Sequence, residues 1–393
     1  VIGKSALDSQ PIIGIDASRA LSTAPTGTEG YSYHLIRALL SQLAGLHLDT
    51  YYQTRLYFRS APEPDAFPGA ACGALRRVEL RVIPFPRLWT HLRLSLEMAR
   101  HAPDLLFVPA HVLPLVRPRR TLVTIHDLGY RYFPEAHPRR QRLYLEWSTR
   151  WNARVADHIL ADSCATRDAL VQTYGIDAAK ITVAYPGYDS DLAPVRDAAV
   201  LAAVRARYAI PGPYILFMGR LQPRKNLVRL IEAFACLALD RPNLSLVLAG
   251  PAGWLAEPIH ARVCELGLEG RVLFPGYVAE ADKAALISGA QVFAYPSLYE
   301  GFGFPVLEAQ ACGVPLLASN TSSLPEVIGD GGLLVDPLDT SAIAAGLVRL
   351  LDDVVLRHDL IARGAANPHR FSWDATARIV LTVIEDLLSL PAV

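Results

Sequence analysis

YPSLYEGFGFPVLEAQACGVP, residues 295–315, decides how this chain is read. Glu300 and Glu308 stand eight positions apart in it, with Gly301 and Gly303 between them and a helix start expected near Pro305. The preceding AQVFAY run (290–295) is apolar, with β-branched and aromatic residues, and reads as a buried strand. A strand, a glycine-rich turn and a helix N-terminus together make an anion site. Unpaired backbone N–H groups and the helix dipole both favour phosphate there. Two carboxylates frame the site. A carboxylate beside phosphate is repulsive unless it binds hydroxyls, and sugars and ribose supply hydroxyls. The segment therefore suits a nucleotide-sugar.

Working outward, short apolar runs alternate with helical patterns along the whole chain. In the first half, PIIGIDAS (11–18), YYQTRLYF (51–58), RRVELRVI (76–83), DLLFVPA (104–110), TLVTIHD (121–127), ADHILADS (156–163) and KITVAYPG (180–187) read as strands, and Glu29 to Ala44 as a helix. The second half repeats the scheme with PYILFMGR (213–220), NLSLVLAG (243–250), RVLFPGY (271–277), AQVFAYPS (290–297), VPLLASN (314–320) and GLLVDP (332–337). Such alternation predicts α/β architecture with parallel sheets covered on both faces. Two such sets predict two Rossmann-like doubly wound domains facing a central cleft. YPGYDSDLAPVRD (185–197) is the expected linker.

The 393 residues suffice for two domains. Lys+Arg and Asp+Glu both number 38, so net charge gives no nucleic-acid signal. Residues 1–190 carry 22 basic and 17 acidic side chains and the remainder 16 and 21, a modest asymmetry that suits an anionic acceptor or membrane surface on the first half. No run approaches the roughly 18 apolar residues of a spanning helix. The N-terminal VIGKSALDSQ lacks the apolar core of a signal peptide. The five cysteines (72, 164, 236, 264, 312) are scattered and read as reduced, buried residues. A cytoplasmic protein is expected, with peripheral contact to the inner face of the membrane left open.

EGFGFPVLE resembles the E-x7-E signature of the retaining glycosyltransferases of family 4, which have the GT-B fold, with bacterial mannosyltransferases in particular. GVPLLASNTSSLPEVIGDGGLLVDP (313–337) is similar to the strand, turn and strand that follow it in that family. The resemblance implies that Glu300 holds sugar hydroxyls, that the N–H groups of Gly301, Phe302 and Gly303 face the sugar-phosphate, and that Glu308 takes the ribose hydroxyls. In FMGRLQPRKN (217–226), Arg220 and Lys225 lie at a strand's C-terminal end, where doubly wound sheets bind ligands. Two cations there can neutralise a pyrophosphate and stabilise the leaving nucleotide. The resemblance further implies that the turn at Gly276 and Tyr277 meets the nucleobase. It places His126, in TLVTIHDLGY, facing the donor sugar; a neutral imidazole there can accept from or donate to a sugar hydroxyl, with Asp127 orienting it or capping the loop. It places Gly27 and Gly30, in TGTEGYSYHLIRAL (26–39), in a loop beside the donor phosphate and acceptor. That loop departs from the family's usual paired glycines and arginine at Thr26 and Gly30. Domain boundaries are expected at 1–190 and 191–371, with the amphipathic helix 372–393 returning to the first domain.

Asp189-Ser190-Asp191 spells D-x-D but lies in the linker and is not read as a metal site. Neither a cofactor nor a metal is expected, the two cations taking a divalent ion's electrostatic place. In HPRRQRLYLEWSTRWNARVADH (137–158), five arginines accompany Trp147 and Trp151, four apart. That segment reads either as an interfacial helix or as a packed helix with a solvated basic face. No carboxylate stands out as a nucleophile of the paired-carboxylate kind. Same-face attack assisted by the departing phosphate fits best, with domain closure aligning donor and acceptor. GDP-mannose is the favoured donor, with UDP-glucose open, and the acceptor is a glycan or lipid-linked glycan. A non-catalytic nucleotide-sugar-binding module and a GT-B epimerase or hydrolase are the other readings. On the sequence alone, Lys225→Ala is expected to cut turnover far more than stability.

Overall fold

The computed structural model describes residues 10–21, 27–45, 52–63, 66–67, 78–110 and 112–389. Thr26 and Cys72 lie outside them. Each of the thirteen apolar runs contains a strand. In the first half these are β1 Ile12–Asp16, β2 Gln53–Phe58, β3 Val78–Val82, β4 Leu105–Val108, β5 Arg120–Ile125, β6 His158–Ala161 and β7 Ile181–Val183. In the second half they are β8 Tyr214–Met218, β9 Ser245–Ala249, β10 Val272–Gly276, β11 Val292–Tyr295, β12 Leu316–Ser319 and β13 Leu333–Val335. All pairings are parallel, in the orders β3-β2-β1-β4-β5-β6-β7 and β10-β9-β8-β11-β12-β13. Every residue of β4, β9, β11 and β12 is buried. Helices on both faces require that, and it explains why these strands read as unbroken apolar runs.

Contacts divide the chain into two units. The first comprises Val1–Asp127, Leu143–Gly187 and Ser372–Val393; the second comprises Leu128–Arg142 and Tyr188–Phe371. Leu128–Arg142, read above as part of the first domain, clusters with the second, where the Tyr132 ring stacks on Tyr299 at 5.2 Å and Trp254 Nε1 donates to the Ala136 carbonyl. The final helix Trp373–Ser389 belongs to the first unit. Its Val380 and Ile384 share a buried core with Leu35 and Leu39 of the helix Gly27–Gly45. Two sequence expectations are corrected here. Cys236 and Cys264 are exposed, because they fall on the outer faces of their helices. Gly27 and Gly30 lie inside the first helix rather than in a loop before it.

In each sheet the strand order reverses between the first strand and its fourth-numbered neighbour. β1 lies beside β4, and β8 beside β11. Chains leaving the C-terminal ends of such strands diverge and open a crevice, the usual ligand position in open α/β sheets. The segments 219–226 and 296–303 leave β8 and β11 at the second of these points.

Gly187, where the chain leaves the first unit, is pressed against the start of the returning helix. A Cβ there would lie 2.3 Å from Trp373 N. Gly187→Ala is therefore expected to destabilise the first unit by about 1–3 kcal/mol through overpacking, read as a lowered denaturant midpoint for that unit's tryptophan fluorescence.

Candidate active site

The chain after β8 makes a short 3₁₀ turn, Pro223–Lys225, that ends at Asn226 with φ 60°. Asn226 Nδ2 donates to the carbonyls of Pro296 (3.0 Å) and Pro337 (2.6 Å), and the N–H of Leu298 donates to Arg224 O at 2.9 Å. The loop after β8 is thereby tied to the loop after β11. This turn buries Lys225, whose Nζ donates to Glu300 Oε1 at 2.5 Å and to the Tyr295 hydroxyl at 2.7 Å. Arg224 NH1 lies 3.7 Å from Glu300 Oε2 and donates to Tyr299 O at 3.0 Å. Burial opposes the charge on Glu300, but the Lys225 and Arg224 charges and the Lys225 hydrogen bond outweigh it and hold the carboxyl below its ordinary value. Burial, and then the Glu300 charge, keep the Tyr295 phenol far above its own.

The turn that follows Glu300 is held from outside. Glu300 N donates to Ser322 Oγ at 3.0 Å, and Ser323 Oγ donates to the carbonyls of Glu300 (3.0 Å) and Phe302 (2.7 Å). Gly303 caps the helix Phe304–Ala311 at φ 113°, a conformation that favours glycine, and a Cβ there would press on Leu324 Cδ2 at 2.8 Å. Glu308, one turn into that helix, pairs with Lys283 Nζ at 2.6 Å, and Lys283 also reaches Glu280 at 3.0 Å. Burial pushes the Glu308 carboxyl up. Gly276 ends β10 at φ 75° and accepts the N–H of Gly250 at 2.8 Å, while Tyr277 beside it is 67% exposed.

Arg220 does not share the position of Lys225. It is exposed, lies against Gly253, and enters no ion pair among the described residues. Arg224 accompanies Lys225 at Glu300. The sequence carried a signal for it, since Arg224 abuts Lys225 in PRKN, but spacing cannot show which cation a 3₁₀ turn directs inward. Lys283 had no signal at all: it lies on an ordinary amphipathic helix 25 positions before Glu308.

In the first unit, His126 follows β5. Its Nδ1 lies 2.6 Å from Asp162 Oδ2 and its Nε2 lies 3.0 Å from Pro109 O. The Tyr31 ring meets it edge-on at 4.8 Å, which sets the first turn of helix Gly27–Gly45 beside it. The carboxylate on the ring is therefore Asp162, not Asp127, and both ring nitrogens have partners. Gly30 faces open space, with nothing within 4 Å of a Cβ built there. Asp189 accepts the N–H of Asp191 at 3.1 Å, an ordinary turn. Among the described residues no group of three or more His, Cys, Asp or Glu side chains could hold a metal ion.

Two doubly wound parallel-sheet units, with a buried cation–carboxylate pair under a glycine turn at one switch point, define the GT-B class. Comparison agrees. Anabaena HepE, solved in complex with UDP and glucose, superposes with a TM-score of 0.71 at 20% identity, covering 97% of this chain and all of that one. WaaG, a glycosyltransferase involved in lipopolysaccharide biosynthesis, gives a TM-score of 0.71 at 16% identity, covering 95% and 99%. The family model described as glycosyl transferases group 1 matches residues 205–367, and that of glycosyltransferase family 4 matches 25–192. O-antigen chain mannosyltransferase B of Escherichia coli is 36% identical over 259 residues, 66% of this chain and 68% of that protein. D-inositol 3-phosphate glycosyltransferase of Kineococcus radiotolerans is 38% identical over 249 residues, 58% of this chain and 57% of that protein. The chain thus spans little more than half the length of that second relative. The chain belongs to glycosyltransferase family 4.

Burial of Lys225 adds a stability cost to the expected loss of turnover. Lys225→Met would leave the buried Glu300 carboxylate with only the more distant Arg224, and stability is expected to fall by about 2–4 kcal/mol. Lys225→Met/Glu300→Gln should recover much of that loss, and denaturant unfolding of both variants checks it. Because the folded Glu300 carboxyl lies below its ordinary value, its stabilisation is present above the ordinary carboxylate range and lost as pH falls through the lowered value. Glu300→Gln should flatten that acid limb of the stability curve. Gly30→Ala separates helix from ligand roles. Alone it should stabilise the helix by about 0.5–1 kcal/mol, so a raised Tm with impaired transfer marks a close ligand approach.

Proposed function

We propose that this chain is a retaining, metal-independent glycosyltransferase. It moves a hexose, mannose from GDP-mannose in the favoured case, to a glycan or lipid-linked glycan acceptor in surface polysaccharide biosynthesis. The observation that carries this reading is the Lys225–Glu300 pair seated under the Glu300–Gly303 turn, at the C-terminal edge of β8 and β11. A carboxylate fixed as an anion beside two cations can accept from sugar hydroxyls, while the helix N-terminus after Gly303 suits a phosphate. Similarity to O-antigen chain mannosyltransferase B supports mannose and a polysaccharide product. The inositol-phosphate relative and the UDP complex of HepE favour, as the second reading, another nucleotide-sugar and a different acceptor. Arg220, exposed at the mouth of the β8 loop, and Glu308 are assigned to the diphosphate and the ribose. Gly276 and Tyr277 are assigned to the nucleobase, and His126 and the Gly27–Gly30 turn to the sugar and acceptor.

A membrane-borne acceptor has its own support in the first unit. Leu88, Leu92 and Leu96 are 63%, 50% and 42% exposed at four-residue spacing, and Tyr144 and Trp147 are each 43% exposed. His91 joins the two stretches, 3.0 Å from the Tyr144 hydroxyl and edge-on to Trp147 at 5.3 Å. An apolar stripe flanked by Arg87 and Arg93 suits an anionic bilayer surface. No helix among the described residues is long and apolar enough to cross a membrane.

Thermal unfolding with GDP, UDP, ADP and dTDP, without metal and with EDTA, tests the donor. A nucleotide at 100 times its Kd should stabilise by about 2.7 kcal/mol. GDP alone should do so, and mannose transfer from GDP-mannose should survive EDTA. Free sugar without a glycosylated product would instead indicate a hydrolase. Leu92→Asp should abolish co-sedimentation with vesicles containing anionic lipid while leaving nucleotide binding unchanged.

A further inference from the structure

Three adjacent strands of the first sheet, β4, β5 and β6, are followed by Pro109, His126 and Asp162, with His126 within hydrogen-bonding distance of the other two. A neutral imidazole has one N–H and one lone pair. Here both nitrogens face acceptors: a carboxylate oxygen at 2.6 Å and a backbone carbonyl at 3.0 Å. A carbonyl oxygen cannot donate, so Nε2 must carry hydrogen to bond Pro109. The remaining proton lies between Nδ1 and Asp162. Asp162 is 4% exposed, its Oδ1 has no hydrogen-bond partner, and the His126 ring is the group paired with its Oδ2.

We propose that Asp162 is a positioning residue that holds His126 as a doubly protonated ring, so that His126 meets a substrate oxygen as an N–H donor, in competition with the Pro109 carbonyl. This rests on the glycosyltransferase reading above. It replaces the neutral ring expected from the sequence, and it restricts the substrate atom at His126 to a hydrogen-bond acceptor. The groups facing the ring are Asp162 beyond β6, Asp127 on its own loop and Tyr31 from the first helix. Burial opposes the second proton. The Asp162 charge and hydrogen bond, then the Pro109 carbonyl and Asp127, outweigh burial and raise His126 above its ordinary value; burial raises Asp162 as well, against the pull of the His126 charge and hydrogen bond, so the ring spectrum decides which partner holds the shared proton. The Tyr31 phenol, pushed far up by burial, stays neutral throughout.

The test is nitrogen NMR of the full chain with ring-labelled histidine, His126 being assigned by its loss in His126→Gln. Both ring nitrogens should be protonated at pH 7. In Asp162→Asn the titration midpoint should fall by about one unit or more. The alkaline limb of kcat for transfer should move down by the same interval, with KM for the donor changed less than twofold. A ring neutral at pH 7 in the unmutated chain, or an Nδ1 without its proton, overturns the proposal even if the variant does not fold. So does a midpoint unmoved by Asp162→Asn, or a moved midpoint with an unmoved alkaline limb. Failure of the unmutated chain to transfer any sugar would refute the glycosyltransferase reading instead, and the ring spectrum would still decide the protonation state.

Discussion

The Lys225–Glu300 ion pair is the constraint on which the second unit's site depends. Moving two charges from water into a protein interior costs several kcal/mol for each, and only close geometry with further hydrogen bonds repays it. The structure meets that demand with a 2.5 Å contact, the Tyr295 hydroxyl on the lysine, and Arg224 as a second cation. A pair of this kind contributes little net stability compared with apolar residues of the same size. What it provides is position. Lys225 belongs to the loop after β8 and Glu300 to the loop after β11, so the pair holds two segments 75 residues apart in fixed register. Asn226, bonded to Pro296 and Pro337, fastens the same loops through their backbones.

The parallel sheets explain why those loops meet. With β8 beside β11, the chains leaving their C-terminal ends diverge to opposite faces, and the space between them is not filled by the sheet's own connections. The first unit repeats the arrangement, and there the ends of β4, β5 and β6 gather Pro109, His126 and Asp162. In the second unit a buried carboxylate is matched with a cation from a neighbouring strand end, and in the first with an imidazole. The Glu300 carboxyl, held below its ordinary value by its two cations, is fixed in direction, which favours binding polar groups without reorganisation.

The legible part of the fold followed from hydrophobic patterning. Buried parallel strands cannot alternate polar and apolar residues, so LLFV, SLVLA and LLAS announced themselves as strands. The glycine turn was equally plain, because Gly303 adopts a conformation that other residues resist. Exposure was less legible. Cys236 and Cys264 lie on helices whose inner faces are apolar, and a scattered cysteine carries no periodicity to show its side. The family resemblance places Gly27 and Gly30 in a loop, yet they lie in a helix that is held by its packing on the final helix.

By itself, then, the sequence determined the two parallel-sheet units, the strands within them, and the loops that bear Lys225, Glu300 and His126. Periodicity and glycine placement are local properties of the chain. Only the tertiary structure decided the partners: Arg224 beside Lys225 at Glu300, Lys283 at Glu308, and Asp162 on His126. Each of those pairings joins residues 25 to 76 positions apart. Which charges meet over such separations is set by strand order and by the direction a turn gives a side chain, and neither is written in residue spacing.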